Sequence, residues 1–311
     1  MVDITTKQIS LRRAVAQGKV LCNAATIERI KNDDLPKGNL LEIAKAAAFL
    51  AAKKTPDLLP HCHPISIEEA KVEFAVNKDH VLCTVAIQSI GRTGVEIEAL
   101  TAASVACLTM VDLLKPIDKE LEISELKVLE KTGGKSQLKK LIKGDYSAAV
   151  LVCSDRIAAG EAEDHSGQLI AQMLSEHRVD VKEITVVADE AEAIKQRVQG
   201  WAENKIDFIF TTGGTGLGPR DVTIEALEPL IEKNASGIAE AMRAFGNDRT
   251  PFAMFSRAMA GTIKQSLVVT LPGSTGGVRD GLNAILPGLF HLKAMVAGQG
   301  HWCSHSLKHT S

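Results

Sequence analysis

Three features that would narrow the class of this chain are missing from its sequence. Its six cysteines include no CxxC pair, which argues against a zinc ribbon and against a disulfide framework. The positive and negative charges nearly balance, at a net charge of -2. Nucleic acid is therefore not an expected partner. No apolar run approaches the roughly 18–20 residues that cross a bilayer, and the N-terminus lacks the charged and apolar regions of a signal peptide. We therefore expect a cytoplasmic protein with no membrane partner.

The sequence does contain a pattern of strands and helices that changes once along its 311 residues, which predicts two domains. The elements predicted first are an extended segment (20–27), an alanine-rich helix capped by Asn39 (39–54), a hairpin (67–90), a long apolar helix (95–114) and an alternating strand (121–129). Their order, β-α-β-β-α-β, is the ferredoxin-like pattern, so residues 1–137 are interpreted as an α+β domain. The lysine-rich residues 138–145 are interpreted as a linker.

Residues 146–311 follow a different pattern, in which apolar strands alternate with helices. The predicted strands are 148–153, 184–188, 206–212 and 265–271, and the predicted helices are 164–177, 190–204, 237–246, 250–260 and 276–297. Because these strands are apolar without alternation, we expect an α/β domain of three layers, with helices on both faces of a mostly parallel sheet. Ligands of such sheets bind beyond the carboxyl ends of the strands.

Two segments of the first domain carry its candidate chemistry. They are LLPHCHP (58–64) and GRTGVEIEALTAAS (91–104), the second of which leads along a helix to Asp112 and Lys115. Together with Lys37 and KTGGKS (131–136), they closely resemble the cyclic pyranopterin monophosphate synthase family, also called MoaC, over residues 1–137. The resemblance implies a lyase of molybdenum cofactor biosynthesis that converts a cyclic dihydroguanosine triphosphate to cyclic pyranopterin monophosphate and diphosphate. It implies no firmly required cofactor, and a homo-oligomer whose dimers assemble into a hexamer.

The residues at these positions suit a triphosphate substrate. A triphosphate needs cations placed around it, and the candidates are Arg12, Lys37, Lys115, Lys131 and Lys135. Ring opening and cyclisation need proton transfers. The resemblance assigns the role of acid and base to Asp112 and makes Lys37 and Lys115 catalytic lysines. Asp112 and Lys115 lie three positions apart on one helix, hence on one face; the alternative is an ordinary surface ion pair.

The resemblance also assigns substrate contacts to His61, Cys62, His63, Ile97 and Glu98. His63 can donate to phosphate or ring oxygens, and Glu98 can accept hydrogen bonds from the guanidine-like edge of the pterin. Zinc binding by the two histidines and Cys62 is the alternative, but this half of the chain offers no CxxC or HxxxH to complete such a site.

The spacing of Glu98 and Asp112 has a geometric consequence. They are fourteen positions apart on the predicted helix (112 − 98 = 14), which corresponds to roughly 21 Å at about 1.5 Å per residue. One small pocket in one subunit cannot easily reach both side chains. We therefore expect an active site that is assembled across a subunit interface.

A glycine-rich segment, TTGGTGLGPRDVT (211–223), carries the candidate chemistry of the second domain. It follows an apolar strand, where glycines allow backbone N–H groups to approach an anion. It is not a dinucleotide fingerprint, because Pro219 takes the place of the last glycine. With CSDR (153–156), Asp189 and LPGS (271–274), this segment strongly resembles the molybdopterin-binding family that includes molybdopterin adenylyltransferase, the MogA and MoaB group.

That second resemblance covers residues 146–298 and implies roles for six residues. They are Asp189 and Asp221 in catalysis with Mg²⁺ and ATP, Gly213, Gly214 and Thr215 in the pocket for the pterin phosphate, and Ser274 beside it. Asp221 is the candidate magnesium ligand, because Mg²⁺ prefers carboxylate and phosphate oxygens. The implied ligands are molybdopterin and ATP. Two alternatives stay open, namely that this domain binds molybdopterin without catalysis as an assembly module, or that the chain is a nucleotide-binding regulator.

Overall fold

A computed structural model describes residues 1–134, 137 and 145–296 of the chain. It divides into two compact units, Met1–Gln137 and Leu138–Ser311. Lys135, one of the predicted phosphate-binding residues, and all of the predicted linker except Asp145 lie outside the described residues.

The first unit is an antiparallel sheet covered by helices. Its elements are β1 (Ser10–Leu21), α1 (Ala24–Lys31), α2 (Leu40–Leu58), β2 (Glu69–Val76), β3 (His80–Gly91), α3 (Glu96–Leu114) and β4 (Glu122–Thr132). The strands lie in the order β2-β3-β1-β4, and every neighbouring pair is antiparallel. Alternate residues of β3, among them Val81, Cys83 and Val85, are buried in the core, as the predicted alternation requires.

Asparagine side chains start both of the first two helices. The Asn39 side chain accepts a hydrogen bond of 3.0 Å from the Glu42 N–H, which confirms the predicted cap. The Asn23 side chain accepts one of 2.8 Å from the Thr26 N–H. The prediction of an extended segment through residue 27 was therefore wrong, because Asn23 ends it and begins α1.

Helix α3 is the central helix of the first unit, and it corrects a second expectation. By length and composition it could cross a membrane, whereas no such run was expected. Its alanines Ala99, Ala102, Ala103 and Ala106 are fully buried, and the helix packs against α2 and the sheet. Burial against protein on two sides explains the apolar composition, because the core helix of a globular protein meets the same criteria.

The second unit contains six strands and seven helices within the described residues. They are β5 (Tyr146–Cys153), α4 (Asp155–Ala158), α5 (Ser166–Ser175), β6 (Val179–Val187), α6 (Ala191–Glu203), β7 (Phe208–Thr212), α7 (Thr223–Leu227), β8 (Lys233–Asn234), α8 (Ser236–Asn247), β9 (Ala260–Ile263), β10 (Ser266–Leu271), α9 (Thr275–Ile285) and α10 (His291–Val296). Short 3₁₀ helices add Glu228–Leu230, Pro251–Phe255 and Gly288–Phe290.

The six strands form one sheet in the order β6-β5-β7-β10-β9-β8. The first four are parallel and the last two are antiparallel to their neighbours. Successive residues of β5 enter different cores: Val150 packs in one cluster with α5, α8 and α9, whereas Leu151 packs in another with α6 and α7. Both faces of the sheet are therefore covered by helices, which is why its strands are apolar throughout.

Two predicted helices of this unit were wrong in extent. Residues 250–260 form the 3₁₀ helix Pro251–Phe255 and then begin β9, so no α-helix is present there. The predicted helix over 276–297 is interrupted after Ile285, because Pro287 lacks an N–H and its ring disfavours helical backbone in the preceding residue.

Candidate active sites in the two units

Asp112 lies between two lysines at the end of α3. The Lys115 Nζ is 2.6 Å from Asp112 Oδ1, and the Lys37 Nζ is 3.5 Å from Asp112 Oδ2. Lys37 also donates to the backbone carbonyl of Asp112 at 3.0 Å, which places the loop before α2 against the end of α3. The hydrogen bond and charge of Lys115, followed by the charge of Lys37, lower the pKa of Asp112. The group is an ionised carboxylate with two adjacent proton donors.

A cavity of about 300 Å³ lies at the other end of α3. It is lined by His61, Cys62, His63, Ile65, Thr93, Gly94, Glu96, Ile97 and Glu98. His61, Cys62, His63, Ile97 and Glu98, to which the resemblance assigns substrate contacts, thus all line one cavity. The loop 58–64 forms one side of the cavity and the first turn of α3 the other, so the two motifs quoted above meet in space.

Glu98 is the buried acid of this cavity, with 2% of its surface exposed. The Cys62 thiol donates to Glu98 Oε1 at 3.3 Å, whereas Glu98 Oε2 has no hydrogen-bond partner among the described residues. Burial raises the pKa of Glu98. Burial and the neighbouring carboxylate raise the pKa of Cys62 to about 11, so the thiol stays protonated and acts as a donor.

Two of the predicted cations lie near the start of α3. The Lys131 Nζ is 3.3 Å from Glu96 Oε1. Arg12 donates to the carbonyl oxygens of Gly91 and Arg92, at 3.2 and 3.4 Å. These bonds fix its guanidinium beside the loop that leads into α3.

The residues proposed for substrate binding thus form two groups in one chain. The first turn of α3 carries Glu98, with Lys131 and the histidine loop nearby, and the last turn carries Asp112 with its lysines. The helix has 19 residues, so the groups are separated by roughly 20 Å at about 1.5 Å per residue. The structure of one chain does not bring them together.

In the second unit, the glycine loop turns sharply after β7. Gly213 and Gly214 have φ angles of +90° and +59°, which favour glycine. A Cβ on Gly213 would collide with the Cys153 carbonyl oxygen, and one on Gly214 would collide with the Thr223 hydroxyl and the Asp189 carboxylate. The two glycines therefore let the loop lie against the end of β5 and against Asp189.

Asp189 and Asp155 follow the ends of adjacent strands, and the backbone N–H of each donates to the side-chain carboxylate of the other. The Asp189 N–H donates to Asp155 Oδ1 at 3.0 Å, and the Asp155 N–H donates to Asp189 Oδ2 at 3.2 Å. Asp189 Oδ1 is buried and lacks a hydrogen-bond partner among the described residues. Burial raises the pKa of Asp189, and the charges of Asp155 and Asp221 act in the same direction.

Asp221 is held in the same loop by a different set of contacts. Its Oδ2 accepts a hydrogen bond of 2.8 Å from the Gly218 N–H, and its backbone oxygen accepts one of 3.0 Å from Arg257. Arg257 also pairs with Glu225 and donates to the Thr215 carbonyl at 3.4 Å. Through these bonds Arg257 fixes the glycine loop.

A cavity of about 560 Å³ opens beside the loop. Of the residues predicted to bind the pterin phosphate, its wall contains Thr215 and Ser274 but neither Gly213 nor Gly214. The Ser274 hydroxyl caps α9 by accepting from the Gly277 N–H at 3.2 Å. The sequence reasoning missed the apolar part of the wall, formed by Met242, Ala253, Ala258 and the exposed side chains of Phe252 and Phe255. The run PFAMF (251–255) was assigned only to a predicted α-helix over 250–260, with no part in a site.

The chain aligns with the molybdenum cofactor biosynthesis bifunctional protein of Chlorobaculum tepidum at 40% identity, over 97% of this chain and 96% of the relative. It belongs to this family of bifunctional proteins of molybdenum cofactor biosynthesis. The MoaC family matches residues 1–134, and the family described as "Probable molybdopterin binding domain" matches residues 149–291. Both resemblances inferred from the motifs are confirmed, and so is their fusion in one chain.

Other relatives correspond to half of the chain. Cyclic pyranopterin monophosphate synthase of Streptomyces avermitilis is 44% identical over 47% of this chain and 82% of the relative. The crystal structure of the molybdopterin biosynthesis enzyme MoaB from Thermus thermophilus is 38% identical, with a TM-score of 0.48, and covers 50% of this chain and 99% of that chain.

Proposed function

We propose that the first unit converts a cyclic dihydroguanosine triphosphate to cyclic pyranopterin monophosphate and diphosphate. The observation that carries this proposal is the carboxylate of Asp112 with lysine ammonium groups at 2.6 and 3.5 Å. Asp112 then accepts a proton from the substrate, while Lys115 and Lys37 return protons or neutralise the charge that develops on phosphate oxygens. At the other end of α3, His63 and Glu98 hold the pterin, and Arg12 and Lys131 bind the triphosphate. Lys135, which lies outside the described residues, is proposed from the sequence to bind the same triphosphate.

This chemistry requires the two groups of residues to act on one substrate molecule. We therefore propose that the site contains Glu98 and His63 of one protomer with Asp112, Lys37 and Lys115 of another, in a homo-oligomer that is a hexamer built from three dimers. A pocket that needs both ends of a long helix is completed most simply by a second copy related by a two-fold axis. Incubation of the purified chain with the cyclic triphosphate tests the activity: diphosphate release in the native chain and its loss in Asp112→Asn are expected.

We propose that the second unit binds molybdopterin and transfers AMP to it from ATP, with release of diphosphate. Asp189, Asp221 and the glycine loop, at the carboxyl ends of β6 and β7, support this function, and Thr215 and Ser274 in the wall of the large cavity favour a pterin bound beside them. Incubation of the chain with molybdopterin, ATP and MgCl₂ tests the transfer. An adenylated pterin supports catalysis, whereas molybdopterin binding without that product would assign the unit to the non-catalytic assembly modules.

The acids of this site fit a magnesium ion that arrives with ATP. Mg²⁺ is usually bound by one or two carboxylates plus phosphate oxygens and waters. Among the described residues, no group of three or more His, Cys, Asp or Glu side chains is arranged to hold a metal ion. Asp221 is the proposed ligand, and the unpartnered Oδ1 of Asp189 can supply a second oxygen. When bound, Mg²⁺ would neutralise charge on the phosphates.

Three further assignments complete the proposal. Residues 1–137 form a ferredoxin-like domain, which the antiparallel order β2-β3-β1-β4 supports. Residues 138–145 link it to the domain 146–311. The chain acts in the cytoplasm, which is consistent with five free cysteines among the described residues.

A further inference from the structure

We propose that Arg220 binds the polyphosphate of the nucleotide, and that Asp155 holds its guanidinium beside the site until nucleotide arrives. This inference rests on the proposed adenylation, because it concerns the same loop. It assigns a nucleotide-binding residue and a positioning residue to two side chains outside the set of predicted site residues.

The ion pair between these residues has the geometry of a phosphate contact. Arg220 Nε donates to Asp155 Oδ2 at 2.9 Å, and Arg220 Nη2 donates to Asp155 Oδ1 at 2.8 Å. Two parallel N–H groups of a guanidinium match two oxygens of a phosphate as well as those of a carboxylate. The side chains are 64% and 42% exposed, so water screens the pair and an incoming anion can displace Asp155.

The position of the pair places it at the proposed catalytic acids. Arg220 directly precedes Asp221 in the glycine loop, and its charge lowers the pKa of Asp189 against the larger effect of burial. A polyphosphate that approaches Asp189 and Asp221 meets negative charge. Arg220 supplies a compensating positive charge at this point.

Asp155 has a second function that survives this exchange. Its Oδ1 accepts the Asp189 N–H at 3.0 Å as well as a bond from Arg220. If the guanidinium moves to phosphate, Asp155 still fixes Asp189. The Asp155 carboxylate therefore holds the Arg220 guanidinium before nucleotide binds, and it positions Asp189 throughout.

The other arginine of this loop region cannot serve in the same way. Arg257 pairs with Glu225 and donates to the carbonyl oxygens of Asp221 and Thr215. Its departure would release the loop that holds Asp221. Arg220 has bonds to Asp155 that an anion can replace.

Calorimetric titration of the full chain with a non-hydrolysable ATP analogue and MgCl₂ tests the inference. We expect Arg220→Ala to weaken binding by about tenfold or more, and Arg220→Lys to restore only part of it, because lysine lacks the planar fork. Asp155→Asn should tighten binding by roughly threefold, since it removes a competing charge but keeps an acceptor for the Asp189 N–H. The same variant should lower kcat for adenylation, because Asp189 is then less firmly held.

Arg197→Ala is the matched control: it removes another exposed arginine, paired with Glu183 at 3.2 Å, and should leave affinity unchanged.

Three results would overturn the inference. The first is native affinity in Arg220→Ala. The second is that Arg220→Ala and Asp155→Asn weaken binding of the ATP analogue equally while both variants keep the native circular dichroism spectrum. The ion pair would then have a purely structural role. The third is that Arg220→Ala weakens the binding of molybdopterin but not that of the ATP analogue, which would assign the arginine to the pterin phosphate. Failure of the proposed function is distinct, because the native chain itself would then bind no nucleotide.

Discussion

Glu98 and Asp112 lie at opposite ends of the same helix, and Glu98 is buried whereas Asp112 is exposed to solvent. Glu98, in the first turn of α3, is 2% exposed and accepts from the Cys62 thiol, whereas the side chain of Asp112, in the last full turn, is 57% exposed and contacts two lysines. Neither environment contains the other set of residues. The proposed mechanism needs both groups at one substrate, so it predicts a site where two copies of the chain meet.

A mixing experiment tests the shared site. Glu98→Gln and Asp112→Asn should each be inactive as the synthase, and a mixture that exchanges subunits should recover about a quarter of native activity, because half of the dimers are mixed and each then has one intact site. Diphosphate release measures the recovery. The control mixture is Asp112→Asn with Lys37→Ala, which alter the same end and should not complement. Absence of recovery in the first mixture, with subunit exchange verified, would contradict the shared site.

Removal of the Lys115 ammonium should shift the pH dependence of the synthase. The lysine lowers the pKa of Asp112. The carboxylate therefore stays ionised at a more acidic pH than an ordinary aspartate does. In Lys115→Gln the pKa rises toward its ordinary value, and activity should be lost at a higher pH as the solution is acidified. The pH profile of kcat/KM measures this shift. Lys119→Gln is the control, since Lys119 donates to the Lys115 carbonyl and not to Asp112; an equal shift in both variants would argue against the assignment.

Replacement of the buried Glu98 should change how stability depends on pH. Burial raises the pKa of Glu98 in the folded state above its pKa in the unfolded chain. The protonated side chain therefore makes its whole contribution to stability below the unfolded-state pKa. That contribution is lost as the pH rises through the folded-state pKa. Glu98→Gln keeps an acceptor for Cys62 but cannot ionise. The Tm of the variant minus that of the native chain should therefore increase as the pH is raised from the acid range to neutrality. A difference that is constant across this range would mean that Glu98 does not titrate on unfolding.

An alanine in the glycine loop should damage the second unit. In Gly213→Ala the new Cβ meets the Cys153 carbonyl oxygen at a φ of +90°, so we expect a loss of about 2–4 kcal/mol of stability. Gly237→Ala is the matched control: no atom lies within 4 Å of its Cβ in helix α8, and the change should be neutral or slightly stabilising. Thermal unfolding measures both. Equal stability of the two variants would show that the loop relaxes around the methyl group.

Much of the fold follows from local sequence. The strands β3 and β5 and the cap at Asn39 were predicted because burial alternation, apolar composition and capping depend on neighbouring residues. The break at Pro287 follows from the same local rules, although the helix was predicted to continue through it. The start of α1 at Asn23 was missed: the β-branched Thr26 and Ile27 favour a strand, but the Asn23 side chain caps a helix there.

The sequence alone determined the family and suggested the residue types of both candidate sites, because a phosphate-binding loop or a proton-transfer pair needs particular chemical groups at fixed local spacings. The tertiary structure decided which groups meet. The Cys62–Glu98 bond and the Asp155–Arg220 pair join residues that lie 36 and 65 positions apart, and the wall of the large cavity draws on several separate segments. Such contacts depend on how sheets and helices pack, and no local spacing encodes them.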